Sequence, residues 1–227
     1  VGTLAVIFDL DGTLIDSLPD VRHALNRLLA AKGRRQLGRD EVATTIGHGA
    51  RAMIAEAFAL AGGPGPEPGH LPALVEEYLG YYKADPVRDT VLFPGALAVL
   101  QSLRADGVRL GICSNKPDVM VELVLDRLGI AHLFDGVTGG QSVPQPKPHA
   151  SHLTETMRRM GAEGLPAVMV GDSDTDVAAA RNAGLPVVAV EFGYARGPVA
   201  ELGADAVISG FAELPSVIAR LLRGEPA

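Results

Sequence analysis

Leu4-Ala5-Val6-Ile7-Phe8-Asp9-Leu10-Asp11-Gly12-Thr13 joins an apolar, partly β-branched run to two carboxylates. The run reads as a buried strand that delivers its polar residues at its C-terminal end. If strand geometry continued, Asp9 and Asp11 would leave the same face, because they are two residues apart. Two carboxylates so placed ionise together only beside a cation; otherwise one pKa rises. Gly12 permits a sharp departure of the backbone, and Thr13 adds a hydroxyl. Taken alone, Asp-Leu-Asp-Gly is equally well a plain strand-ending turn, since Asp and Gly are common turn residues.

The strand has no early neighbour. Asp16 and Ser17 are suitable helix caps, Pro19 suits a first turn, and Val21, Ala24, Leu25, Leu28 and Leu29 recur at helical spacing as far as Lys32-Gly33. Asp40 caps a second helical stretch through Ile46, which Gly47-His48-Gly49 interrupts before Ala50 to Leu60 resume the pattern. A Gly- and Pro-rich breaker at 62–69 precedes a helix from Leu71 to Lys83, with Leu74, Val75, Tyr78, Leu79 and Tyr82 suited to burial. Beyond Asp85 helices and strands alternate. Helices at 95–106, 118–128, 150–160 and 175–183 are interleaved with strands at 109–113, 136–138, 167–170 and 187–190, and a last strand follows at 206–208. Gly107, Gly129, Gly161 and Gly184 stand where each helix should stop.

This alternation predicts an α/β fold, a doubly wound parallel sheet, and the first strand finds partners only by joining it. The expected division is a core of residues 1–15 and 88–227 with a helical cap inserted at 16–87.

Composition narrows the function classes. The 227 residues are 47% hydrophobic, enough for a large core. Lys and Arg number 20 against 27 Asp and Glu, a net charge of -7 without a basic run, which argues against nucleic acid and anionic membrane as partners. The longest apolar runs are strand-length and broken by Gly, Asp or Pro, so neither a membrane span nor a signal peptide is expected, although a chain opening on Val1 is compatible with a trimmed segment. Cys113 stands alone, which excludes an internal disulfide and suits a small buried strand residue in a reducing cytoplasm. Monomer and homodimer are equally compatible with these features.

In a parallel sheet the loops at the carboxyl ends of the strands share one crevice. Here those loops carry Asp9 and Asp11, then Ser114-Asn115-Lys116, then Gly171-Asp172-Ser173-Asp174-Thr175-Asp176. Such crowded carboxylates call for a hard divalent cation with oxygen ligands, in the manner of Mg²⁺, which commonly works beside a phosphate oxygen. Ser114, near helix N-termini, suits a phosphoryl group. Lys147, between Pro146 and Pro148, reads by itself as a solvated surface lysine more readily than as a fixed positive charge, and only the company of the other loops favours the second reading.

Asp9-Leu10-Asp11-Gly12-Thr13, Ser114 after a strand, Lys147-Pro148, and Gly171-Asp172-Ser173 with Asp176 together resemble the ordered motifs of the haloacid dehalogenase superfamily. The resemblance spans essentially the whole chain. It implies a Mg²⁺-dependent phosphatase in which Asp9 is the nucleophile and forms an aspartyl-phosphate, and Asp11 is the general acid and base. It further implies Ser114 and Lys147 on the phosphoryl oxygens, a metal held by Asp9, Asp172 and the main chain at Leu10-Asp11, and Asp176 behind them as an orienting group. Asp174 has no role in this scheme and is taken as solvated.

Within that superfamily Ile46-Gly47-His48-Gly49-Ala50, Leu92-Phe93-Pro94-Gly95, Ser114-Asn115-Lys116-Pro117, Lys147-Pro148-His149 and Phe192-Gly193-Tyr194 are similar to the phosphoglycolate phosphatases, so the implied substrate is a small phosphomonoester such as 2-phosphoglycolate. His48 stands where those proteins often carry Asn. Thr13, Asn115, Gly47, His48, Gly49, Arg51 and Lys116 are the candidates for substrate contact, with Arg51 and Lys116 facing a substrate carboxylate if they are not simply solvated. The Gly47-Gly49 pair is as well explained by a plain helix break. His149 and His152 lack a third ligand at metal spacing and read as solvated polar positions. Sugar phosphates, nucleotides and pyrophosphate are alternative substrates, and a phospho-accepting signalling or binding module is the alternative of another class; Asp11 and the enclosing cap argue against it.

Overall fold

Residues 4–223 are described by a computed structural model; the ends of the expected core segments, 1–3 and 224–227, lie outside the described residues. In chain order the elements are β1 (Ala5–Phe8), β2 (Ile15–Asp16), α1 (Leu18–Ala31), α2 (Arg39–Ala43), α3 (Ala50–Leu60), α4 (Leu71–Ala84), β3 (Val91–Leu92), α5 (Ala96–Ala105), β4 (Arg109–Cys113) and α6 (Asp118–Arg127). They continue with β5 (Gly136–Thr138), α7 (Ala150–Met160), β6 (Ala167–Gly171), α8 (Asp174–Ala183), β7 (Val187–Val190), β8 (Ala206–Ile208) and α9 (Leu214–Leu222).

Six strands form one parallel sheet in the order β5-β4-β1-β6-β7-β8. The first strand of the chain lies between β4 and β6, so three polar strand ends converge there. Alternation along β1 assigns its faces. Val6 and Phe8 pack with residues of α5, α6 and α9, whereas Ala5 and Ile7 pack with those of α7 and α8. Burial of both faces explains why β1 is apolar throughout rather than alternating.

The segment from α1 to α4 carries a separate apolar cluster, in which Leu25, Leu28, Ile54, Phe58, Leu79 and Tyr82 meet Met120 of α6. Two short connections join this segment to the sheet. There β2 and β3 pair antiparallel, Ile15 with Leu92 and Asp16 with Val91. Asp20, buried in the first turn of α1, accepts hydrogen bonds from the backbone N–H groups of Arg88, Asp89 and Thr90 and from the Thr90 hydroxyl at 2.6 Å. The ribbon and α9 are elements that the sequence reading does not contain. Among the described residues no helix is long and apolar enough to cross a membrane.

Candidate active site

Gly12 makes the turn after β1 possible. Its φ of +84° is costly for any other residue, and a Cβ there would stand 2.3 Å from Asp172 Oδ2. The turn sends the Asp9 and Asp11 side chains to different partners. Asp9 Oδ1 lies 3.0 Å from Lys147 Nζ, while Asp11 accepts from Lys116 Nζ at 2.9 and 3.0 Å and from the Ser17 hydroxyl at 2.5 Å. Both aspartates still line one small cavity of about 50 Å³, with Ser114, Asn115, Lys116, Gly47 and Gly49.

Lys147 is a buried lysine, not a surface one. Its Nζ donates to Asp176 Oδ1 at 2.6 Å, its N–H to His152 Nδ1 at 3.1 Å, and its carbonyl accepts from Asn115 Nδ2 at 2.9 Å. Burial opposes its charge, but the Asp176 and Asp9 carboxylates prevail and hold its pKa above the ordinary lysine range. Asp9 is pushed up to about 6, chiefly by burial, with Lys147 pulling the other way and Asp176 and Asp11 adding repulsion. Asp172 is likewise raised by burial and then by Asp176 and Asp9. Its oxygens accept from the Thr13 hydroxyl at 3.1 Å and the Tyr194 N–H at 2.7 Å. Thr13 thus points at Asp172 and is fully buried, away from the cavity.

The Gly47-His48-Gly49 link sits directly over the sheet-side loops. Both glycines have positive φ, the Gly47 carbonyl accepts from Asn115 Nδ2 at 2.9 Å, and a Cβ on Gly49 would lie 3.3 Å from the Asn115 carbonyl. The expected close approach therefore occurs, against Asn115. His48 and Arg51 line an adjacent outer cleft with Pro72, Glu76 and Gln141, and neither lines the cavity at Asp9. Asp174 is exposed, its Oδ1 lying 3.9 Å from His48 Nε2.

The family profile described as "Haloacid dehalogenase-like hydrolase" matches residues 6–190. The chain belongs to that family. This hydrolase is 43% identical over 213 residues, 92% of its chain and 88% of the relative, to a phosphoglycolate phosphatase of Rhodospirillum rubrum. It is 39% identical over 222 residues, 98% and 93% of the two chains, to a phosphoglycolate phosphatase of Caulobacter vibrioides. Its fold superposes with a TM-score of 0.86 on a crystal structure described as a predicted phosphoglycolate phosphatase from Haemophilus somnus, at 31% identity and covering 94% and 96% of the two chains.

In this haloacid dehalogenase-like hydrolase the donor set suits a hard cation. Oxygens of Asp9, Asp172 and Asp176 lie within 4.8 Å of one another. Asp9 Oδ1 is buried with no hydrogen-bond partner in good geometry among the described residues, and burial raises the pKa of Asp9 and Asp172, a cost that a bound cation offsets. Asp176 is otherwise engaged: Oδ1 takes Lys147, and Oδ2 accepts from the N–H groups of Asp172 and Ser173 and from the Ser173 hydroxyl. It closes a capping box at the start of α8, so it orients the loop rather than offering free lone pairs.

Four side chains at the site lie beyond the sequence-based candidates. His152, expected to be solvated, is fully buried and supports Lys147. Tyr82 accepts from Lys116 Nζ at 2.9 Å. Tyr194 ties Asp172 to the start of α1, its hydroxyl accepting from the Leu18 N–H and donating to Asp16. Ser17, expected to cap α1, makes no side-chain capping bond and serves Asp11 instead. Of these, only Tyr194 lay in a stretch with a visible signal, Phe192-Gly193-Tyr194.

Proposed function

We propose that this chain, a phosphatase of the haloacid dehalogenase-like family, hydrolyses a small organic phosphomonoester, with 2-phosphoglycolate as the substrate, and that residues 16–87 act as a cap over the site. The observation that carries the reading is the separation of Asp9 from Asp11 within one small cavity: one carboxylate at Lys147, the other free of the phosphate-facing cation and bonded to Ser17 and Lys116. The names of the relatives support the choice of substrate.

In this scheme an Asp9 oxygen attacks phosphorus, the bond from phosphorus to the leaving alkoxide breaks, and Asp11 gives that alkoxide a proton. Asp11 then takes a proton from water as the water oxygen attacks the same phosphorus, and the Asp9 carboxylate and inorganic phosphate separate. Lys147 and Ser114 stabilise the phosphoryl oxygens where charge develops. His152 and Asn115 keep Lys147 in place through its N–H and carbonyl. Asp9, Asp172 and the main chain at Asp11 would hold Mg²⁺, which supplies charge neutralisation for the phosphoryl group when bound. We place the activity in the cytoplasm, in keeping with a lone buried thiol at Cys113 whose pKa burial pushes up to about 11.

The test is kcat/KM over a panel of phosphomonoesters, with 2-phosphoglycolate beside sugar phosphates, nucleotides and pyrophosphate. A clear maximum at 2-phosphoglycolate is expected. A flat profile overturns the substrate and leaves the phosphatase; no turnover of any monoester overturns both.

A further inference from the structure

The cavity above Asp9 has an uneven wall. Val21, Ile46, Met53, Leu79 and Met120 make most of it apolar, and Lys116 is the one cation lining it among the described residues. Lys116 is itself buried, with 5% of its side chain exposed. Its ammonium has three hydrogens and meets three oxygens, Asp11 Oδ1 at 2.9 Å, Asp11 Oδ2 at 3.0 Å and the Tyr82 hydroxyl at 2.9 Å. Nζ also lies 4.6 Å from the centre of the Tyr82 ring.

This geometry leaves one donor unused. The Tyr82 oxygen accepts from Lys116, so its own O–H remains to donate, and among the described residues no acceptor takes it. Lys116 follows β4 and Tyr82 belongs to α4, so the pair closes the cavity from the sheet side and from the helical side together. Asp11 holds two of the three ammonium hydrogens, and either one of them is available for exchange without breaking the ion pair.

We propose that Tyr82 is a specificity-determining residue: its O–H, together with one Lys116 N–H drawn from Asp11, grips a carboxylate on the leaving group of a compact phosphomonoester. The inference rests on the phosphatase reading above and adds the residue that selects the leaving group. An anion entering this wall is desolvated and stays only where donors meet it. Two donors converging from Lys116 and Tyr82 suit a planar carboxylate. A polyhydroxylated leaving group needs acceptors as well, and Val21, Ile46, Met53, Leu79 and Met120 on this wall offer none.

The experiment compares 2-phosphoglycolate with ethyl phosphate, which has a two-carbon leaving group without the charge, on the wild-type protein and Tyr82→Phe. The variant keeps the ring and its packing and removes only the hydroxyl. The ratio of kcat/KM for 2-phosphoglycolate to that for ethyl phosphate is expected to fall about tenfold to a hundredfold, the range for one hydrogen bond to a charged group. The inhibition constant of glycolate, measured on ethyl phosphate turnover, is expected to rise by a comparable factor. A merely structural role for the hydroxyl lowers both substrates together. A ratio or an inhibition constant that stays within about twofold of wild type overturns the inference while leaving the phosphatase reading in place. A wild-type protein that hydrolyses neither compound overturns both.

Discussion

His152 allows a prediction in which one residue is isolated from all others by its titration. It is fully buried in α7, accepts the Lys147 N–H at Nδ1, and is held neutral with its pKa pushed down to about 4, first by burial and then by the Lys147 ammonium. In the unfolded chain a histidine titrates at about 6.5. The folded value is the lower one, so the contribution to stability is fully present above about pH 6.5 and declines as pH falls toward 4, because the unfolded chain binds a proton that the folded chain refuses. Each pH unit inside that window is worth about 1.4 kcal/mol, so between about pH 7 and pH 4.5 the wild type loses about 2–3 kcal/mol through this side chain. His152→Asn places an amide oxygen near the position of Nδ1, keeps an acceptor for Lys147, and does not titrate. Urea unfolding of both proteins at about pH 7 and pH 4.5 is the assay. The stability difference between them should shift toward the variant by about 2–3 kcal/mol at the lower pH, while the titrating carboxylates common to both proteins cancel. A difference that is the same at both pH values within about 0.5 kcal/mol refutes the placement of a neutral, buried His152.

The other expectations are simpler. Asp9→Asn should abolish turnover by at least about a thousandfold while far-UV circular dichroism stays that of the wild type; retained activity removes Asp9 as the nucleophile. EDTA should bring turnover to background and excess Mg²⁺ should restore it, so indifference to chelation in a rate assay removes the metal. Asp20→Ala leaves the Thr90 N–H and hydroxyl, both in a buried residue, without their acceptor, and should lower the unfolding free energy by about 2–4 kcal/mol in denaturant titration. Gly12→Ala combines a strained φ with a methyl directed into Asp172, and should cost about 2–4 kcal/mol and most of the activity; wild-type behaviour in both assays contradicts the turn geometry.

The sheet was legible because both faces of its strands are covered, so each strand is a short apolar run with glycine-marked helix ends on either side. Five of the six sheet strands begin where the apolar runs begin, and Ala5–Phe8 starts one residue later than read. The β2–β3 ribbon is two residues a side, too short for any period to register. Helix α9 has no counterpart in the sequence reading, although Pro215 in its first turn and Leu214, Val217 and Ile218 at helical spacing are signals for it. At the site, Asp9, Asp11, Ser114, Lys147 and Asp172 fall together because each ends or follows a strand. Asp20, Tyr82 and His152 are not legible for a common reason: their roles depend on which distant backbone or side-chain group reaches them. Tyr82 shows 3.6-residue spacing and reads as core, which it is, and only its hydroxyl has a second role. In the sequence His152 reads as solvated, because an amphipathic helix start does not reveal that the preceding loop folds back onto it.

Ser17 carries a consequence for anyone who would redesign this chain for stability. By local rules a serine before a proline-containing first turn is a place to install Asp, the stronger anion for a helix N-terminus. Here Pro19 at the second helical position has no N–H to cap, the Asp20 N–H already bonds the Ser17 carbonyl at 3.2 Å, and the Ser17 hydroxyl is turned to Asp11 at 2.5 Å. The helix would gain little from the exchange. The new carboxylate would instead stand against Asp11 and compete with it for Lys116, so a substitution scored as favourable by propensity would be spent against the chemistry of the site.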